Sequence, residues 1–216
     1  MFKRLRLYCH SICGLIRVFC QLTYGLWKIS RLPQPIVSIF GGSRVLDTDI
    51  YFKKAHQIAK RLVESDISVL TGGGPGIMEA ASCGAIIPQK GKTRLMGIGV
   101  SDLGEKPNQC VQSYFELDYF FARKWLLTHY SSAFIVFPGG FGTMDELNEV
   151  LTLIQTKKLA RVPIILFGVE YWRPLLQWLK DEPLKHGAIR KEDLALFSLT
   201  DDLEKVFCLV LDKCGV

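Results

Sequence analysis

Several familiar signatures are missing from this 216-residue chain, and each gap removes a class of function. No glycine run leads directly into Gly-Lys-Ser/Thr, so none of them is a P-loop. No G-x-G-x-x-G carries an acidic residue about 20 positions downstream, which removes the common dinucleotide fingerprint. The four histidines are scattered, so no metal site is expected. Seven cysteines (Cys9, Cys13, Cys20, Cys83, Cys110, Cys208, Cys214) form no C-x-x-C pair, which reads as reduced thiols in a cytoplasmic protein. Low-complexity tracts and obvious linkers are also lacking. With 49% hydrophobic residues the chain can bury a substantial core in one compact domain. The net charge of +6 is moderate, with much of the excess in Lys3, Arg4, Arg6, Arg17, Lys28 and Arg31, and it does not argue for nucleic acid.

What the chain does have is one device repeated. Ala133 to Phe137 is an apolar, β-prone run that feeds directly into P-G-G-F-G-T-M-D-E at Pro138 to Glu146. Gly139, Gly140 and Gly142 leave no side chain between backbone amides and a ligand. Thr143 opens a helical pattern through Leu147, Val150, Leu151 and Ile154, so free N–H groups and the positive helix end should face the loop. That arrangement favours an anion, above all a phosphate. A second copy runs from Ile67-Ser68-Val69-Leu70 into Thr71-Gly72-Gly73-Gly74-Pro75-Gly76 and the helical stretch Ile77 to Ala85. A weaker third leads from Ile36 to Phe40 into Gly41-Gly42-Ser43-Arg44, with a helix over about 49–65. In an open parallel sheet such strand ends can converge on one phosphorylated compound, here a mononucleotide rather than ATP or NAD.

The remaining pattern alternates strands with helices. Strands are expected at Met96 to Val100, Cys110 to Phe115 and Val162 to Phe167, and helices at Tyr119 to Tyr130, Tyr171 to Lys180 and Asp202 to Asp212. Short links between them imply an α/β, Rossmann-like doubly wound fold, with a mostly parallel sheet and helices on both faces. Residues 1–32 stand apart from the domain at 33–216. They lack a signal-peptide cleavage site, and Arg17 and Lys28 interrupt any bilayer-spanning run. An amphipathic helix with Leu5, Cys9, Ile12, Ile16, Phe19, Thr23 and Leu26 near one face fits better. It could pack on the domain, bridge a dimer or lie on a membrane; the first two are preferred and the third stays open.

P-G-G-F-G-T-M-D-E, with T-G-G-G-P-G-I-M-E-A before it and F-F-A-R-K between, closely resembles the LOG (Lonely Guy) family of cytokinin riboside 5′-monophosphate phosphoribohydrolases, many once labelled lysine decarboxylases. The resemblance spans about Ile36 to Asp202 and includes L-T-L-I-Q-T-K-K at Leu151 to Lys158 and I-L-F-G-V-E-Y-W at Ile165 to Trp172. It implies hydrolysis of the N-glycosidic bond of a nucleoside 5′-monophosphate, AMP or an N6-modified AMP, to free base and ribose 5-phosphate, by a homodimer without a cofactor. Carried onto this sequence, the family's catalytic pair is Arg123 and Glu146. Gly42, Ser43, Gly72, Gly73, Gly74, Glu79, Lys124, Gly139, Gly140, Gly142 and Thr143 are the substrate-binding candidates. A non-catalytic nucleotide or cofactor carrier is the alternative.

The same residues have plainer readings. Thr143 and Glu146 match a capping box. Arg123, Lys124 and Arg44 could be solvated charges, Glu79 could complement a helix N-terminus, and Asp145 reads as a helix-start residue. Tyr119, Phe120, Phe121 and Trp125 read as core rather than as a stacking platform. Leu95, Met96, Phe115 and Phe120 are candidates for the base pocket.

Overall fold

The computed structural model describes residues 2–86, 93–104 and 106–214, with side chains from residue 11 onward. Seven strands form one sheet: β1 (Ile36–Phe40), β2 (Ser68–Thr71), β3 (Leu95–Val100), β4 (Tyr114–Leu117), β5 (Ala133–Val136), β6 (Ile164–Phe167) and β7 (Ser198–Thr200). Their order is β4-β3-β2-β1-β5-β6-β7, and all six pairings are parallel. The chain therefore winds outward from β1 to β4, returns to the other side of β1 and winds outward again. This is the doubly wound α/β architecture.

Strand alternation divides the core into two layers, because successive side chains on a pleated strand point to opposite faces. Val37 and Ile39 of β1, Val69 of β2, Ile135 of β5 and Phe167 of β6 meet α2 (Ile50–Glu64), α3 (Ile77–Gly84) and α7 (Leu203–Cys214). Ile36, Phe40, Leu70, Phe134, Val136 and Leu166 face α1 (Phe2–Ile29), α4 (Phe120–His129), α5 (Phe141–Gln155) and α6 (Val169–Leu179). Ser38 is fully buried in the second layer, where its hydroxyl donates to the Leu127 carbonyl at 3.2 Å and lies 2.7 Å from the Ser131 hydroxyl. A buried hydroxyl without such partners would be costly.

Several sequence expectations change. The strand expected over Cys110 to Phe115 lies at Tyr114–Leu117, because residues before it belong to a loop anchored elsewhere. Strand β7 was not anticipated, since three residues are too few to show a period. The aromatic group Tyr119, Phe120, Phe121 and Trp125 is exposed rather than core, with Phe121 at 55%. Helix α1 packs on the domain, but of the stripe its pattern suggests only Leu26 does so among the described side chains. Gly25 and Ile29 are buried and Leu22 and Leu26 pack against the second layer, whereas Ile12, Ile16 and Phe19 stay exposed. Leu5 and Cys9 lie outside the residues whose side chains are described.

The expectation of uniformly reduced thiols is corrected as well. Cys83 of α3 and Cys110 form a disulfide, with Cα atoms 4.9 Å apart across a sequence separation of 27. Local spacing could not show this, because the fold brings the two together. Cys13, Cys20, Cys208 and Cys214 are free. Closing a loop of that length removes unfolded-state entropy worth about 3 kcal/mol. Replacing both cysteines by alanine is expected to lower the unfolding free energy by about that amount in a urea titration, with peptide mapping under non-reducing conditions finding the linked pair in the parent.

Candidate active site

The three glycine turns leave neighbouring strands. β2, β1 and β5 are adjacent in the sheet, and the chain reverses its winding direction between β1 and β5, which is where open α/β sheets bind ligands. Backbone bonds weld the turns into one rim: Gly42 N–H donates to the Pro138 carbonyl at 2.9 Å, and Ile77 N–H donates to the Gly42 carbonyl at 3.1 Å. Gly76 holds a φ of 68°, a left-handed conformation that suits glycine, and packs directly on Gly42 and Ser43.

A cavity of about 790 Å³ opens above this rim. That is ample for a nucleotide-sized ligand. Gly42, Ser43, Arg44, Gly139, Gly140, Gly142, Thr143, Arg123, Lys124 and Glu146 all line it. Side chains added at Gly140 or Gly142 would meet nothing within 4 Å, so these glycines keep space clear rather than relieve packing. Helix α5 begins one turn earlier than the sequence suggested: Gly140 is its N-cap and no side chain caps it. The capping box of Thr143 with Glu146 is therefore absent, and the first amides of α5 face the cavity without intrahelical partners.

Glu146 instead receives a hydrogen bond from Arg123 Nη2 at 2.8 Å. Both side chains are nearly buried, at 13% and 12% exposure. The guanidinium fits because Gly72 leaves room: a Cβ there would stand 2.5 Å from Arg123 Nη2. Arg123 Nε is buried without a partner. Beside this pair, Lys124 Nζ lies 2.8 Å from Glu149 Oε2 and 3.1 Å from Asp145 Oδ2. Adjacent residues of α4 thus each reach α5, and Asp145 is more than a helix-start residue. Burial holds the Glu146 carboxyl above the ordinary glutamate range, and Arg123 opposes the shift without cancelling it. Lys124 is partly desolvated, which disfavours its charge, but its bonds to Glu149 and Asp145 outweigh that and keep it cationic.

Not every candidate reaches the cavity. Gly72, Gly73 and Gly74 form a layer behind it; Asn108 holds that layer by donating Nδ2 bonds of 2.9 Å to the Gly73 and Gly74 carbonyls. Glu79 lies outside the lining residues. Of the four base-pocket candidates only Phe120 lines the cavity. Leu95 and Met96 border a separate cavity at the amino ends of the strands, and Phe115 is buried against Tyr24 of α1. Sequence reasoning missed Tyr171, whose hydroxyl donates to the Gly139 carbonyl at 2.6 Å, and Met78, Leu103 and Phe141, which also line the cavity. Phe141 is 96% exposed at its mouth. Tyr171 sat within a recognisable motif; Leu103 and Asn108 carried no signal of their own.

A family model described as "Possible lysine decarboxylase" matches residues 78–210, which includes Arg123, Lys124, the whole α5 turn and Tyr171. The rice (Oryza sativa subsp. japonica) "Probable cytokinin riboside 5'-monophosphate phosphoribohydrolase LOGL2" is 31% identical over 158 residues, 71% of this chain and 63% of its own length. The Arabidopsis thaliana "Probable cytokinin riboside 5'-monophosphate phosphoribohydrolase LOG6" is 30% identical over 156 residues, 71% of this chain and 76% of its own. The chain belongs to the LOG family. The chain is also similar to the Escherichia coli (strain K12) "Pyrimidine/purine nucleotide 5'-monophosphate nucleosidase", 28% identical over 183 residues; the match covers 77% of this chain and 40% of the enzyme's length. Among solved structures, the molybdenum cofactor carrier protein of Chlamydomonas reinhardtii shares the fold, with a TM-score of 0.61 at 18% identity over 85% of this chain and all of its own.

The Arg123 contact sets a direction for titration. Arg123→Met removes the positive charge that favours the ionised carboxylate, so the Glu146 carboxyl should titrate at still higher pH than in the parent. Carbon-detected NMR of labelled glutamate side chains checks this; a downward movement would contradict the geometry.

Proposed function

We propose that this LOG-family protein hydrolyses the N-glycosidic bond of a nucleoside 5′-monophosphate, AMP or an N6-modified AMP, to free base and ribose 5-phosphate. The observation that carries the reading is the Arg123–Glu146 pair, 2.8 Å apart, on the wall of the same cavity that the uncapped α5 turn opens into. In this reading the 5′-phosphate lies against the amides of Gly139 to Thr143 and the positive end of α5, with Ser43 and Arg44 on the facing rim. Cleavage of the C1′–N bond builds positive charge on the ribose. Glu146, ionised, stabilises that charge and positions or deprotonates the attacking water. The departing base takes the bonding electron pair and, in the net reaction, the proton that water loses as it supplies the hydroxyl at C1′. Arg123 orients Glu146 and lines the cavity beside it. Lys124 sits between two carboxylates and stays charged, so it is poorly suited to form a Schiff base, which weakens a decarboxylase reading.

Leu103, Phe120 and Phe141 give the cavity an apolar flank suited to a base. We also propose a homodimer that covers the exposed α4 aromatics Phe121 and Trp125. The carrier alternative draws on the shared fold with the Chlamydomonas protein. A product assay separates the two: the parent is expected to release base from AMP and nothing from adenosine. Glu146→Gln should lower kcat by about 10²–10⁴-fold with little loss of AMP binding. Binding of AMP by calorimetry with no base released from any monophosphate would favour the carrier. Activity should fall on the acid side at a pH above the ordinary carboxylate range, since the raised pKa keeps Glu146 protonated there.

A further inference from the structure

The charge of this protein is divided unevenly along its length. The first acidic residue is Asp47; before it stand Lys3, Arg4, Arg6, Arg17, Lys28, Arg31 and Arg44, leaving 20 Lys and Arg against 21 Asp and Glu in the rest. The whole positive excess therefore belongs to the head of the chain, and α1 (Phe2–Ile29) contains no carboxylate at all. At 1.5 Å per residue its 28 residues reach about 42 Å.

Only part of that length is used by the domain. Beyond the buried Gly25 and Ile29, Arg17 binds Asp118 at 2.5 Å, and the Gln21 side chain accepts the Asp118 N–H at 3.1 Å. These contacts fix the rotation of the helix about its axis. They leave Ile12, Leu15, Ile16 and Phe19 on one stripe, spaced i, i+3, i+4, i+7, with exposures of 54%, 69%, 58% and 71%. Trp27, 48% exposed, falls on the same side. Four large apolar side chains in a row with nothing over them, on a helix whose charges are all positive, form a two-part surface.

We propose that this face of α1 is a membrane-surface anchor that lays the helix along an anionic bilayer, with the stripe entering the acyl boundary and the basic residues at lipid phosphates. No helix of the described residues is long and apolar enough to cross a membrane, so the helix lies on the surface rather than spanning it. Charge favours lipid over a second copy of the chain: Arg17 is matched by Asp118 of the domain, but α1 holds no carboxylate to offset Lys3, Arg4, Arg6 and Lys28, so laying two copies of the helix together adds charge of one sign. Anionic headgroups satisfy both halves of the surface at once.

Flotation of the full-length protein tests this independently of catalysis. The protein is expected to float with vesicles of equal parts phosphatidylcholine and phosphatidylglycerol and not with phosphatidylcholine alone. Ile16→Glu with Phe19→Glu, both at exposed positions, should abolish flotation while AMP turnover is retained. Removing Lys3, Arg4 or Arg6 should each lower partitioning about fivefold. Absence of flotation overturns the proposal, as does flotation unchanged by the Ile16 and Phe19 substitutions, which would mean simple adhesion of charge. A dimer in sedimentation that the same two substitutions split, without any vesicle binding in the parent, assigns the stripe to a second copy and overturns it equally.

Discussion

A carboxylate withdrawn from water is unstable unless something nearby shares its charge, and the site is organised around that requirement. Glu146 is carried by the first turns of α5, and the guanidinium that steadies it comes from Arg123 of α4, 23 positions earlier in the chain. For the two to meet, α4 and α5 must lie on the same face of the sheet. β2 must also be followed by a residue without a side chain at position 72, where the guanidinium passes. The winding reversal between β1 and β5 places the bare amides of α5 beside that pair. Desolvation then pushes the carboxyl toward neutrality while Arg123 restrains the movement, leaving a group able to exchange a proton with water.

Much of this architecture was legible in the residues. The three turns stood out because short apolar strands, glycines and helical periods follow one another in the same order each time. What the pattern could not show was which strands are neighbours. That β2, β1 and β5 lie side by side is a property of the crossover order, and without it the turns are three separate signals. Thr143 and Glu146 were ambiguous for a local reason, since three residues apart they fit both a cap and a site. The backbone removes the cap reading, because α5 begins at Phe141 and the cap position falls on Gly140.

Other features were invisible for physical rather than statistical reasons. Asn108 acts through carbonyls contributed by residues more than thirty positions away. Cys83 and Cys110 meet only when α3 and the loop after β3 fold together. The aromatics of α4 read as interior because large apolar side chains usually are, yet the helix turns Ala122, Leu126 and Leu127 inward and leaves its rings outside. Likewise the apolar pattern of α1 was real but its orientation was not deducible: Gly25 sits in the packed stripe with Leu22, Leu26 and Ile29 because Leu126 and Phe115 leave no room for a side chain there, which hydropathy does not show.

One property of the cavity bears on how such a protein can change. Its glycine rim is made of main chain, which no point substitution deletes, whereas the apolar flank is made of Leu103, Phe120 and Phe141, three side chains that are exposed. Grip on the common part of a ligand and taste for its variable part are therefore encoded in separable materials. For the nucleotide proposed above as substrate, preference among bases would drift by single exchanges on the flank while the hold on the shared sugar-phosphate end is inherited intact.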